Sequence, residues 1–205
     1  MRNTKLRGFT LIELLVVIAI IALLATLLTP VLLKSIRKGK QAKALHLVDQ
    51  VSQALQSYRT EYKQWPPLFS KLPKNREGDY FLSVPATETT GHPAWNELLV
   101  TLLARAETDE EKVILEANNI RRLRFLDVEP HMTNRPDDPL KATSLVDPWN
   151  QQLNLVFDGN GDEIISGLPD KKSGDPTGFK TYGEIGIWSW GHAPKKVKNC
   201  LTSWK

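Results

Sequence analysis

The feature that most constrains this chain is an uncharged apolar run near its amino terminus. No charged residue occurs from Leu14 to Leu33, and Glu13 stands immediately before the run. At ~1.5 Å per helical residue, this stretch is about as long as the ~30 Å hydrocarbon core of a bilayer is thick. Arg2, Lys5 and Arg7 precede it. The pattern predicts a membrane-spanning helix with an acid at its entrance, where a carboxylate needs a partner.

Three kinds of segment have a basic start followed by an apolar run. A secretory signal peptide has a shorter apolar region that ends at a small-residue cleavage site. An uncleaved single-pass anchor fits the length equally well. Cations lie on both sides of the run, so flanking charge alone does not fix its orientation. Those on the far side are Lys34, Arg37, Lys38, Lys40 and Lys43.

The third kind is indicated by the residues Gly8-Phe9-Thr10-Leu11-Ile12-Glu13-Leu14. This segment resembles, at every position, the processing site of type IV pilins and of the pseudopilins of type II secretion. The resemblance implies that a prepilin peptidase cuts after Gly8, that residues 1–8 are a leader, and that Phe9 becomes an N-methylated amino terminus. It also implies a cytoplasmic amino terminus and a Glu13 that neutralises the terminal amine of a neighbouring subunit.

Helical periodicity continues beyond the apolar run. Apolar residues at spacings of three and four predict one packed face: Ala42, Leu45, Val48, Val51, Leu55, Tyr58 and Tyr62. We therefore expect one long helix with a membrane-spanning half at residues 9–33 and an amphipathic half at residues 34–64. Pro30 bends this helix or, alternatively, ends a shorter membrane helix. Many pilin-like proteins carry a proline at the matching place.

Residues 65–205 are predicted to form one globular domain, which begins where Trp65-Pro66-Pro67 ends the helical pattern. A short helix is expected around Trp95 to Leu103. A capping box at Thr108-Asp109-Glu110-Glu111 opens another helix, which continues to about Ala117. Residues 121–128 favour an extended edge or a packed loop. The predicted fold class is α+β, a long amino-terminal helix against a small antiparallel sheet with extra short helices, and the resemblance implies a pilin-like head.

A second resemblance lies in the carboxyl-terminal half. The segment Asp147-Pro148-Trp149-Asn150 is similar to the Asp-Pro-Trp-Gly turn of the major pseudopilins of type II secretion, with asparagine in place of glycine. Both residues tolerate the backbone geometry of a turn. The turn leads into a predicted strand with apolar residues at Leu153, Leu155 and Phe157. A second strand is predicted from Glu184 to Trp190, and the two suggest an antiparallel sheet.

One segment has the spacing of metal ligands. Asp158, Asn160 and Asp162 alternate with glycine, as in the first half of a calcium loop. The EF-hand rule fails because Glu163 occupies the position of the required glycine and Pro169 that of the bidentate glutamate. Major pseudopilins bind structural calcium in their carboxyl-terminal loops, so calcium is a candidate cofactor. An Asp- and Gly-rich hairpin turn without metal is the favoured interpretation.

No catalytic pattern is present. The sequence holds no HExxH, GxSxG, CxxC or glycine-rich phosphate motif, and His46, His92, His131 and His192 are dispersed. His46, beside the apolar stripe, is expected to be packed. Four tryptophans, Trp149, Trp188, Trp190 and Trp204, favour core and rim packing over a glycan platform. Cys200, the one cysteine, allows no intrachain disulfide and is interpreted as a small side chain near the carboxyl terminus, with an intermolecular bridge as the alternative.

Charge excludes nucleic acid as an expected partner. The chain has 27 Lys+Arg and 23 Asp+Glu, but three of its cations lie in the predicted leader, which leaves 24 against 23 and a net charge of +1. The expected function is a non-enzymatic pseudopilin that assembles through its amino-terminal helix into a periplasmic fibre of type II secretion. The alternatives are a type IV pilus subunit for adhesion, motility or DNA uptake, and a monomeric membrane-tethered glycan-binding domain.

The expected partners follow from that function. They are membrane lipid, prepilin peptidase, an inner-membrane assembly platform, copies of the chain itself and related pseudopilins. The expected location is the bacterial inner membrane, with the head in the periplasm before the subunit is extracted into the fibre.

Overall fold

A computed structural model describes residues 9–82, 94–192 and 196–204. The predicted leader, residues 1–8, and with it Gly8, lies outside the described residues, as does His92. The chain divides into two compact units, Met1–Gly39 and Lys40–Lys205. The first unit contributes the apolar part of a helix, and the second contains both β-sheets and the remaining helices.

The first element, helix α1, extends over Leu11–Tyr62 and contains Pro30. The helix therefore does not end at Pro30, and the alternative of a shorter membrane helix followed by a separate one is wrong. Proline lacks the amide hydrogen that would bond to the carbonyl of Thr26. Nearby hydroxyls turn to the backbone of their own helix: Thr26 Oγ1 donates to the Leu23 carbonyl at 2.7 Å and Thr29 Oγ1 to the Ala25 carbonyl at 2.6 Å. Such bonds keep polar side chains satisfied in an apolar helix.

In the second unit, α1 packs through a face that differs in part from the predicted one. Val48, Val51, Leu55 and Tyr58 are buried as expected, but Ala42 and Leu45 are exposed. The remaining buried residues of the helix are Ala44, Leu47 and Ala54. Before Val48, residue 45 lies on one side of the apolar stripe and residues 44 and 47 lie on the other side. The three-and-four spacing allows the buried face to continue on either side. The head domain covers the second of these sides.

Two short helices and a packed loop complete the helical part. Helix α2 extends over Ala94–Leu103 and helix α3 over Asp109–Asn118. The predicted capping box is present, because Thr108 accepts from the Glu111 amide and Glu111 accepts from the Thr108 amide. Residues 121–128 form no regular element and are held in part by the amides of Phe125 and Leu126, which both donate to the Leu102 carbonyl. One-turn 3-10 helices occupy Pro67–Lys71, Pro130–Met132, Pro139–Lys141 and Val197–Asn199.

In the described residues, six strands form two antiparallel sheets. They are β1 (Tyr80–Leu82), β2 (Asn154–Phe157), β3 (Ile164–Leu168), β4 (Phe179–Tyr182), β5 (Ile185–Ser189) and β6 (Leu201–Thr202). The larger sheet has the order β1-β2-β5-β6, and the smaller one pairs β3 with β4. Both predicted strands are confirmed as the central pair, in which Leu155 lies opposite Ile187.

Strand β2 is buried at all four positions, instead of alternating between buried and exposed. The reason is that both faces of the larger sheet are covered. On one face, Leu155 and Phe157 join a core with α1 and α2. On the other face, Val156 belongs to a second core. Its buried members are Val156, Ile165, Leu168, Trp188, Trp190 and Cys200.

The two sheets lie close together at Gly186 of β5. A Cβ atom built there would lie 2.8 Å from Ile165 Cδ1 and 3.0 Å from Val156 Cγ1. A side chain at this position would force the Ile165 and Val156 side chains to shift, since well-packed interiors leave little room for an added methyl group. The second core is therefore packed closely around a glycine at this point.

Candidate assembly site on the amino-terminal helix

The apolar half of α1 is exposed in the isolated chain. Among the described residues, α1 is the one helix long and apolar enough to cross a membrane, and its most apolar window has none of its surface buried. Large aliphatic side chains are exposed around the helix, including Leu15, Ile18, Ile21, Leu24, Leu28 and Leu32. A soluble monomer rarely presents so much apolar surface, so this surface requires lipid or other protein to cover it.

Glu13 is held by Thr10 at the start of the helix. The Thr10 amide and the Thr10 hydroxyl both donate to Glu13 Oε2, each at 2.8 Å. In return, Thr10 Oγ1 accepts from the Glu13 amide at 3.3 Å. These reciprocal bonds have the form of a capping box, which satisfies amides that the first helical turn leaves without partners. The sequence reasoning singled out Glu13 and missed Thr10, although the Thr-x-x-Glu spacing is the known signal of this motif.

The second carboxylate oxygen of Glu13 is left open. Among residues 9–82, 94–192 and 196–204, none donates a hydrogen bond to Glu13 Oε1. Phe9, the predicted first residue after processing, is 76% exposed and precedes the capping threonine directly. Phe9 and Glu13 therefore lie at the same exposed end of α1, and one oxygen of the acid is available to an incoming cation.

The candidate calcium residues come together in the loop between β2 and β3. Asp158 Oδ1 accepts from the amides of Asn160 and Gly161, and Asp158 Oδ2 accepts from the Glu163 amide. Asp162 Oδ1 accepts from the Ile164 amide at 2.8 Å. These bonds build a self-capped turn of the kind that Asp and Asn form locally. Within the described part of the chain, no group of three or more His, Cys, Asp or Glu is placed to hold a metal ion, and calcium binding stays a prediction.

The turn that resembles the pseudopilin segment is anchored to the central sheet by its aspartate. Asp147 Oδ1 accepts from the amides of Trp149 and Gln151, each at 2.8 Å, and Ser189 of β5 donates to Asp147 Oδ2. Burial raises the pKa of Asp147, and these hydrogen bonds oppose that shift. Asn150 has a φ of 62°, the left-handed conformation that asparagine tolerates. The sequence predicted the turn but not the role of Ser189.

The aromatic and histidine side chains do not assemble into a common site. Trp188 and Trp190 are buried in the second core, as the packing interpretation predicted. Trp204 is partly buried and packs against Trp188, with ring centroids 6.1 Å apart, while Trp149 lies 5.9 Å from the ring of His192. His46 is exposed, so the expectation that it is packed is wrong. Cys200 is buried, and burial raises the pKa of its thiol.

Comparison with known proteins gives one match. Residues 3–29 match the model of the prokaryotic N-terminal methylation motif. The amino-terminal segment is therefore type IV pilin-like. This segment includes Phe9, Glu13 and most of the apolar run, and it is consistent with membrane anchoring through α1. No curated protein and no solved structure gave a significant match to the chain.

Proposed function

We propose that this protein is a structural subunit of a filament, assembled through the apolar half of α1 after cleavage between Gly8 and Phe9 and N-methylation of Phe9. The match of residues 3–29 to the methylation motif carries this proposal. The geometry of Glu13 supports it, since one carboxylate oxygen is open at the end of the helix where the new amine would form. In the filament, lipid contacts of α1 are exchanged for helix contacts with neighbouring copies.

Within this class, we favour a pseudopilin of type II secretion. The observation that favours it is the resemblance of the Asp147-Pro148-Trp149 turn, whose aspartate is fixed to the central sheet by Ser189. The subunit is then inserted with its amino terminus in the cytoplasm and its head in the periplasm. Its partners are prepilin peptidase, the assembly platform, copies of itself and related pseudopilins, and the role is structural rather than enzymatic.

A type IV pilus subunit is the second candidate, because the methylation motif fits both duties. The two make different predictions for a strain that lacks the gene. A pseudopilin mutant retains its surface pili and accumulates secreted proteins in the periplasm. A pilus mutant loses surface fibres and secretes normally, so electron microscopy of the cell surface and proteomics of the culture medium separate the two duties.

The test of filament assembly is substitution of Glu13. A valine at this position removes the acid and keeps an apolar helix, so we expect processed protein that stays in the membrane and forms few or no fibres. The matched control is Asp49→Val, which removes the next acid along α1. Fibres that grow from Glu13→Val at normal number and length would contradict the docking role of Glu13.

Processing is tested on the purified protein. Mass spectrometry should find a methylated Phe9 at the amino terminus, and a strain without prepilin peptidase should accumulate the form that begins at Met1. An intact Met1 in the strain that has the peptidase would overturn the whole proposal.

A further inference from the structure

A basic pocket lies in the second unit, away from α1. It has a volume of about 390 Å³ and lies between the turn that follows the first 3-10 helix, β1 and the β3–β4 sheet. Pro73, Phe81 and Gly167 form its apolar part, called the floor below. The charged residues that line it are three cations and one acid, Lys74, Arg76, Lys180 and Glu77. Gly167 shapes the floor, because a Cβ atom there would lie 2.9 Å from the Phe81 ring and its φ of 72° disfavours a side chain.

Two of the three cations have no carboxylate partner among the residues that the structure describes. Lys180 pairs with Glu77 at 3.1 Å, and this bond lowers the pKa of the Glu77 carboxyl. Lys74 lies over the Tyr80 ring, 4.4 Å from its centroid, and Arg76 is exposed. In the part of the chain that the structure describes, neither Lys74 nor Arg76 has a carboxylate within ion-pair distance.

Glu77 follows Arg76 directly but pairs with Lys180, and the next acid along the chain, Asp79, is engaged elsewhere. Asp79 is fully buried and accepts from the amide and the hydroxyl of Ser166 and from Asn75 Nδ2. These bonds hold the Asp79 side chain in the protein interior. The rim of the pocket therefore remains basic, and a pocket of this size with an apolar floor and a few convergent polar groups is suited to binding.

The outer face of α3 has the opposite character. Its first turn contains three acids, and Asp109 and Glu110 are exposed. Asp109 pairs with Lys112 at 2.7 Å, whereas Glu110 has no ion-pair partner among the described residues. One turn further on the same face, Val113 is 67% exposed. An unpaired acid thus stands beside an uncovered apolar side chain on a short, capped helix.

We propose that the basic pocket of one copy receives the outer face of α3 from a second copy, with Glu110 meeting Arg76 and Lys74 and with Val113 covering the apolar floor. This inference rests on the proposed filament. The two surfaces are complementary in both charge and polarity, which is how a helix is recognised in a groove. Among the described residues, Arg76 on one surface and Glu110 on the other have no ion-pair partner.

The contact is heterologous, because it joins two different surfaces. Such contacts repeat from copy to copy and produce open helical filaments when they do not close into a ring. The contact would add head-to-head adhesion to the packing of the α1 helices.

Charge reversal of the full-length protein in its native host tests the pair. We expect Arg76→Glu and Glu110→Arg each to reduce the number of fibres about tenfold or more, since like charges across an interface are costly. The double variant restores the attraction with its direction reversed and should recover most fibres. Lys198→Glu, the same charge change at an exposed lysine outside the pocket, should leave the number of fibres unchanged.

Cysteine cross-linking tests the proximity directly. A chain carrying both Arg76→Cys and Glu110→Cys should form disulfide-linked ladders in isolated fibres, and each single variant should not. The native Cys200 is buried and stays in place. The pocket contact is contradicted if fibres form normally without a ladder and the single charge-reversal variants also assemble normally. That result would leave the filament proposal intact. Absence of fibres from the unsubstituted protein overturns the filament proposal itself.

Discussion

The register of α1 against the head can be tested by removing the same side chain at two neighbouring positions. Leu47 is 1% exposed and belongs to the main core, whereas Leu45 is 39% exposed. Both lie within the same helix and no proline separates them, so Leu→Ala changes helix propensity equally at both. The comparison isolates burial, and it tests the point at which the predicted face differs from the observed one.

The expected magnitudes differ clearly. Leu→Ala at a buried site costs about 2–5 kcal/mol, from lost transfer free energy and the cavity left behind. We place Leu47→Ala near 3 kcal/mol, because its neighbours Val48, Val51 and Ala44 lie on the same helix and cannot collapse into the space. Leu45 already contacts solvent over much of its surface, and its replacement should cost about 1 kcal/mol or less.

Tryptophan fluorescence during urea or thermal unfolding measures both values. All six tryptophans lie between Trp65 and Trp204, so the signal reports on the head of the full-length protein in detergent. A loss of 3 kcal/mol corresponds to roughly 6–12 °C in Tm for a unit of this size. An equal or larger loss for Leu45→Ala would refute the observed packing and favour the predicted face.

Two further predictions concern the loops of the head. Burial raises the pKa of Asp147 above its unfolded value of about 3.9, so the native state binds the proton more tightly than the unfolded state does. The contribution of Asp147 to the free energy of unfolding is therefore fully present below the unfolded pKa and is lost as pH rises through the folded pKa. Asp147→Asn should remove this dependence, so urea titrations at a series of pH values should show the variant gaining relative to the wild type on going from acid to neutral pH. The favoured metal-free turn at the β2–β3 loop predicts a Tm that does not change with Ca²⁺. Bound calcium would instead raise Tm by the equivalent of ~2.7 kcal/mol at a hundred times Kd, and Asp158→Asn would reduce that rise. An unchanged Tm across the Ca²⁺ titration would contradict binding at this loop.

The elements that the sequence predicted well are those with local signals. The capping box at Thr108 and Glu111 requires residues three apart, and it is present. Strands β2 and β5 carry enough β-branched and aromatic residues between turn residues to be found. The long helix also has a local cause, since its apolar run contains no breaker except Pro30, and one proline did not end it.

The parts that were missed depend on residues distant in sequence. Strand β3 contains Ser166 and Gly167, a weak strand signal, and Ser166 is fixed by Asp79, 87 residues earlier. The basic pocket forms where the β3–β4 sheet meets the turn at Arg76, and no residue spacing in the sequence predicts it. Likewise, the choice between Leu45 and Leu47 on α1 is made by the surface that covers the helix and not by the helix itself.

Glu13 illustrates how a local motif can prepare a residue for a distant partner. An unpaired carboxylate at the edge of a membrane is costly, yet the two bonds from Thr10 to Oε2 and the positive end of the helix dipole lower that cost before any neighbour arrives. Because both bonds go to one oxygen, the other remains open to accept from a terminal amine. Capping by Thr10 is therefore compatible with the proposed docking, in which the open oxygen of Glu13 would accept from the terminal amine of a neighbouring copy.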